Sequence, residues 1–111
     1  MVAVKRGDIA IAALAGDYGK PRPVLIVQNN ALSEVVDSVV VCPFSTSIES
    51  TVIARLRIEP SAENGLEHPS ILMIEKLTVL HVSRISRVIG RLEDSHMDRV
   101  NLSVAFVLGL T

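Results

Sequence analysis

The sequence predicts a mainly β domain closed by one C-terminal helix. Two observations predict it. Short apolar runs recur along the first four-fifths of the chain, and Gly, Pro, Asn and Ser separate them. After Gly90 the apolar period lengthens from that of a strand to that of a helix. Ile9–Leu14 reads as the first strand, ending at Ala15–Gly16. Residues 16–21, with two glycines and a proline, read as a loop. Pro23–Gln28 is a near-continuous apolar strand stopped by Asn29–Asn30, and Val39–Phe44 is another, followed by the polar stretch Ser45–Thr51. Val52–Ile58 alternates, with Ala54, Leu56 and Ile58 on one face and Arg55 and Arg57 on the other.

Pro60–Pro69 is turn-rich, with Asn64–Gly65 as its left-handed pair. Ile71–Val79 and Arg87–Leu92 are the last strands, and Val82–Ile85 between them forms a helical turn. Asp94 or Ser95 is the expected N-cap of the helix, with Asp98 in its first turn. Met97, Val100, Val104 and Val107 then share one face, Leu102 and Phe106 make a narrower stripe, and Gly109 ends the helix. No repeat or linker interrupts residues 1–111, so one domain is expected. Two strands, Pro23–Val27 and Val39–Val41, are apolar on both faces, yet one helix is available to cover them. A second copy could supply the missing layer, or the sheet could curl into a small barrel and cover itself, and both can hold together.

Composition removes several function classes. With 111 residues and 49% hydrophobic content, the chain has ample core material. No apolar run is long enough to span a bilayer and no leader-like segment opens the sequence, so a cytoplasmic location without membrane contact is expected. A single cysteine, Cys42, excludes an internal disulfide and a cysteine-cluster metal site. Eleven Lys and Arg against twelve Asp and Glu give a formal charge of −1, so any nucleic-acid contact must rest on a local patch. His68, His81 and His96 show no helical pairing, and neither metal nor cofactor is implied.

Two constellations carry possible chemistry. Arg22 stands between Pro21 and Pro23 at the entry of a buried strand. The fixed φ of both prolines stiffens its base, and the guanidinium fork suits a phosphate. A surface arginine closing a salt bridge fits the same pattern. Ser45, Thr46 and Ser47 follow a buried strand, where hydroxyls can bond a phosphate oxygen or their own loop backbone. Asp17, in the glycine loop, and Glu75–Lys76, interrupting an apolar run, are further candidates. Arg84, Arg87 and Arg91 line a groove or form a solvated face.

In order, these segments resemble the MazF/PemK family of toxins from bacterial toxin–antitoxin pairs. The resemblance lies in residues 6–9, 16–28, 39–47, 60–66, 75–76 and 89–92, and in the terminal helix. It is most specific in Arg22-Pro23-Val24-Leu25-Ile26-Val27-Gln28 and in the strand ending Pro43-Phe44-Ser45-Thr46-Ser47. It implies an SH3-like, partly open β-barrel acting as a homodimer. The implied activity is cleavage of single-stranded RNA at short sequences without a metal, held in check by a cognate antitoxin. DNA would be met only through the antitoxin complex.

The same resemblance places the catalytic arginine at Arg22 and a catalytic hydroxyl at Ser45 or Thr46. It places an acidic loop residue at Asp17 and an acidic strand residue at Glu75, while Met73 stands where some members carry an arginine. Lys20, Tyr18, Ser47, Lys76, Arg84 and Arg87 are the candidate RNA contacts. Products would be a 2′,3′-cyclic phosphate and a 5′-OH end. Two rivals remain at this stage. One is a CcdB-like gyrase poison of the same fold, disfavoured by the absence of Trp. The other is a catalytically inactive module that binds antitoxin or DNA.

Overall fold

The computed structural model describes residues 2–16 and 19–111. In chain order the described residues form β1 (Asp8–Ala13), β2 (Pro21–Ile26), β3 (Ser38–Ser45), β4 (Arg55–Ile58), β5 (Ser70–Met73), β6 (Thr78–His81), β7 (Ile85–Arg91) and the helix α1 (Asp94–Val107). Short 3₁₀ turns lie at Asn30–Leu32, Ile74–Lys76 and Val82–Arg84. The strands pair antiparallel in the order β4-β5-β3-β2-β1-β7, and β6 pairs with the other half of the β3 edge.

The sheet curls until both of its faces are internal. One face carries Ile9, Leu25, Cys42, Phe44, Leu56 and Leu72, and Met97 and Val100 of α1 pack onto it. The other carries Ala10, Ala12, Val24, Ile26, Val39, Val41, Leu80 and Ile85. Alternation along β2 and β3 sends successive residues to opposite clusters, which is why Val24 to Val27 are all buried. The doubly apolar strands therefore need no second copy. The barrel alternative accounts for them, and burying each side chain of this size contributes about 1.5–3 kcal/mol.

Two devices produce the curl. The β1–β7 register slips between Ile9 and Ala10 and again between Ile11 and Ala12, so β7 carries an extra residue at each place and bends. The turn at 61–66 then docks on β7. Arg91 N–H donates to Glu63 O at 2.9 Å, and Gly65, at φ +70°, lies so close that an added Cβ would sit 2.1 Å from Ile89 O. Asn64 is fully buried and does not take the left-handed conformation that the sequence suggests for it. Gly65 alone does.

Several boundaries differ from those the sequence suggests. β2 begins at Pro21, because Pro21 and Arg22 pair with Ala13 and Ala12, so Arg22 lies inside the strand. β2 ends at Ile26, but Gln28 prolongs its pairing with a side chain. Its Nε2 donates to Ser38 O at 3.1 Å and its Oε1 accepts Val40 N–H at 3.2 Å. Of the run 52–58 only Arg55–Ile58 is strand, because Ala54 has φ 79° and breaks the extension. The run 71–79 is split by the turn at Ile74–Lys76 into β5 and β6, which pair with different halves of β3.

The helix cap is Glu93 rather than Asp94 or Ser95, and Asp94, not Asp98, is the acid of the first turn. Leu92, buried and bonded through its N–H to Gly7 O, holds the chain on the sheet until one residue before the helix. At the other end Gly109, at φ +74°, donates to Phe106 O while Leu110 N–H donates to Ala105 O, the paired bonds of a Schellman stop. Arg6 anchors α1 to the sheet, its guanidinium donating to Val27 O and Asn101 Oδ1. Cys42 lies fully buried at the centre of β3, and burial pushes its thiol up to about 12. Among the described residues no helix is long and apolar enough to cross a membrane.

Candidate active site

β2 and β3 run antiparallel with Val24 opposite Pro43 and Leu25 opposite Cys42. Continuing that register by two residues sets Arg22 across from Ser45, on the face shared with Val24 and Pro43. At this end of the sheet the second apolar cluster gives way to polar side chains. They open into a groove of about 690 Å³. Arg22 and Ser45 line it together with Thr46, Ser47, Lys76 and Arg84, and Met73, Thr78 and His81 complete its walls.

The groove is cationic although the chain is not. Arg22, Lys76 and Arg84 line it, and no Asp or Glu is among the described residues of its wall. In a partly enclosed groove such an array raises the local concentration of phosphate groups. Ser45 is half-buried, and its Oγ accepts the Ser47 N–H at 3.1 Å. That bond fixes the hydroxyl oxygen and leaves its O–H free to donate elsewhere. Thr46 and Ser47 are exposed.

The structure brings together Arg22, Ser45, Thr46, Ser47, Lys76 and Arg84 of the residues singled out in the sequence. Glu75 is not in the groove wall. Its Oε2 is held by Arg55, whose Nε and Nη2 donate to it at 2.9 and 2.5 Å. Those bonds hold the Glu75 carboxyl below the usual carboxylate range and raise the Arg55 guanidinium in turn. Lys20 is exposed outside the lining, and Arg87 lies on β7 opposite Ile11, also outside it. Asp17 and Tyr18 lie outside the described residues.

Three residues of the site or its frame were not site candidates in the sequence: Thr78, His81 and Arg55. Thr78 shares the Arg22 face because it stands opposite Val41, a register hidden while 71–79 is read as one strand. His81 caps the turn at Val82–Arg84. Its Nδ1 accepts the Ser83 N–H at 3.1 Å, which leaves the neutral ring's proton on Nε2, 3.4 Å from Asp37 Oδ2. A histidine just before a short polar turn is the one sequence signal that points to it.

A family model described as the PemK-like, MazF-like toxin of type II toxin–antitoxin systems matches residues 5–108. The chain belongs to that family. Over 108 residues it is 42% identical to a probable endoribonuclease MazF of Mycolicibacterium smegmatis, covering 96% of this chain and 98% of the relative. It is 28% identical over 112 residues to endoribonuclease EndoA of Bacillus subtilis, covering 96% of each. Among solved structures it resembles the Mycobacterium tuberculosis toxin MazF-mt6, with TM-score 0.80, 26% identity, and 94% and 98% of the two chains covered. It shares its fold with a mycobacterial endoribonuclease solved in complex with its cognate antitoxin, with TM-score 0.84, 24% identity and 98% of each chain covered. The toxin family's fold is thus the mainly β, curled sheet with one C-terminal helix described above.

Proposed function

We propose that this toxin is an endoribonuclease, one domain over residues 1–111, that cuts single-stranded RNA at short sequences in the cytoplasm without a bound metal. The observation that carries the reading is that Arg22 and Ser45 line one cationic groove, on a chain 42% identical to a probable endoribonuclease. In this reaction the 2′-oxygen attacks the adjacent phosphorus and the bond to the 5′-oxygen breaks. A 2′,3′-cyclic phosphate and a 5′-OH end result. The step needs an acceptor for the 2′-OH proton, a donor for the leaving 5′-oxygen, and donors for the charge on the crowded phosphorane.

Arg22 fills the last role. An arginine guanidinium is a poor proton donor and a strong hydrogen-bond donor, so Arg22 stabilises the dianionic oxygens. Ser45, with its oxygen fixed by Ser47 N–H, donates its hydroxyl proton to a phosphoryl oxygen, and Thr46 stands next in line. Of the two carboxylates implicated by resemblance, Glu75 is occupied by Arg55 and is the poorer proton acceptor. Asp17 is the carboxylate assigned to the 2′-OH proton, and a solvent water protonates the leaving 5′-oxygen. Lys76, Arg84 and Ser47 meet flanking phosphates, Lys20 and Arg87 extend the RNA path beyond the groove, and Tyr18 is a further RNA contact implied by the resemblance. Splayed bases read by such contacts tolerate a chain of net charge −1.

A cognate antitoxin holds the toxin inactive, and DNA is reached only through their complex. A homodimer is supported by a second groove, about 1340 Å³, that the exposed side chains of Val35, Val36 and Val88 line. The deciding experiment incubates purified protein with a long single-stranded RNA in EDTA and maps the new ends. Discrete cuts with 5′-OH ends, lost in Arg22→Ala, are expected. Intact RNA with a folded protein, or gyrase-dependent DNA breaks, would overturn the reading.

A further inference from the structure

Arg55 has a third arm, and it reaches the loop that follows β3. β4 begins at Arg55, directly opposite Met73 of β5. Beyond Met73 the chain enters the turn Ile74–Lys76, where Ile74 is fully buried and Lys76 lines the groove. Two guanidinium nitrogens of Arg55 hold Glu75 in that turn. The remaining one, Nη1, donates to Ser50 Oγ at 3.2 Å, and the same oxygen accepts Val52 N–H at 3.2 Å.

Ser50 belongs to the stretch 46–54, which has no strand pairing and begins with the groove hydroxyls of Thr46 and Ser47. Ala54, at φ 79°, turns the chain back so that Arg55 faces both partners. One side chain thus joins the hydroxyl loop to the turn that carries Lys76.

We infer that Arg55 is a positioning residue for RNA cleavage. It holds Glu75 and Ser50 at once and so fixes the hydroxyl wall relative to Lys76. The inference rests on the endoribonuclease reading above. Because the pair still meets solvent, with side chains 22% and 28% accessible, its contribution to global stability is small. What it supplies is preorganisation, since two segments that otherwise move independently present their donors at one spacing. The planar fork makes three directed bonds at fixed angles, which a lysine ammonium on a flexible stem does not reproduce. Ion-paired with Glu75, Arg55 adds no net charge to compete with Arg22 for a phosphate.

Hydrogen exchange read by mass spectrometry tests the clamp without substrate. Arg55→Ala should speed exchange in residues 46–54 and 74–77 by about tenfold while α1 and β1–β3 keep wild-type protection. Unchanged exchange in both segments overturns the inference. On a short fluorogenic single-stranded oligoribonucleotide, Arg55→Ala should lower kcat about tenfold with KM within about twofold, and Arg55→Lys should recover only part of the loss. The double variant Arg55→Ala, Glu75→Gln separates positioning from charge, because it leaves no bared carboxylate beside the groove. Positioning keeps it as slow as the single variant, and a return to wild-type rate overturns the inference. Wild-type protein that leaves RNA intact would count against the endoribonuclease reading, while the exchange result still judges the clamp.

Discussion

The turn at residues 61–66 and the loop at residues 45–51 draw on similar polar residues and direct them oppositely. In the turn, Asn64 is fully buried with its side-chain oxygen, side-chain nitrogen and backbone N–H all engaged. Its Oδ1 accepts the N–H groups of Ser61 and Leu66, each at 3.0 Å, and its Nδ2 donates to Glu59 O at 2.9 Å. Ser61 Oγ returns a bond to Asn64 N–H at 3.0 Å. In the loop, Ser45 and Ser50 each bond one backbone N–H two residues on, while Thr46 and Ser47 stay exposed beside Arg22 and Lys76. A polar segment whose groups are satisfied inward is a joint between strands. One that keeps donors facing a cationic groove can meet a ligand.

The sharpest way to break this contrast is Arg22→Ala. Removing the guanidinium proposed to meet the phosphorane should cut the cleavage rate by about a thousandfold or more in a protein that still folds. Cleavage at the wild-type rate would remove the groove from the chemistry. The joint should respond in the opposite sense. Gly65→Ala places a Cβ against Ile89 O at a left-handed position, so a loss of about 3 kcal/mol or more is expected. That corresponds to a midpoint lowered by more than about 10 °C, with normal cleavage per folded molecule.

Within the loop, Ser45→Ala should lower kcat by about ten- to a hundredfold and Thr46→Ala by about threefold. The reverse order would move the hydroxyl role to Thr46. The smallest effect concerns the edge of the loop. The folded Glu75 carboxyl lies below its ordinary value because of Arg55, so its stabilisation is full above about pH 4.3 and fades as pH falls through the lower folded value. The stability gap between wild type and Glu75→Gln should therefore be largest at neutral pH and close in acid. A gap that widens on acidification would contradict the pairing.

How far the fold could be read in advance follows the range of the interactions. β1, β2 and β3 were legible because each is an apolar run long enough to state its own type. The helical turn at 82–85 and the stop at Gly109 were legible because their signals are local. The break between β5 and β6 was not: Glu75–Lys76 interrupt the apolar run, but a polar pair inside a strand does the same, and pairing with two halves of β3 is what separates the strands. Ala54 gives no sign of its positive φ. At the site, Arg22 and the hydroxyls stood out by their neighbours in the chain, whereas Arg55 and Glu75 meet across 20 residues through strand register. No spacing announces such a contact.

Cys42 turns this architecture into its own gauge. A thiol reagent needs a thiolate and an approach, and the buried Cys42, with its thiol pushed up to about 12, offers neither while the fold is closed. Labelling must wait for the sheet to open, so its rate reports the free energy of that opening. Cys42 pairs with Leu25, so the gate it reads is the junction of the same two strands that carry Arg22 and Ser45. Any molecule that settles in the groove stabilises that junction and slows the labelling of an atom it never touches. Occupancy can then be followed on the unmodified chain, with no cut strand and no attached dye.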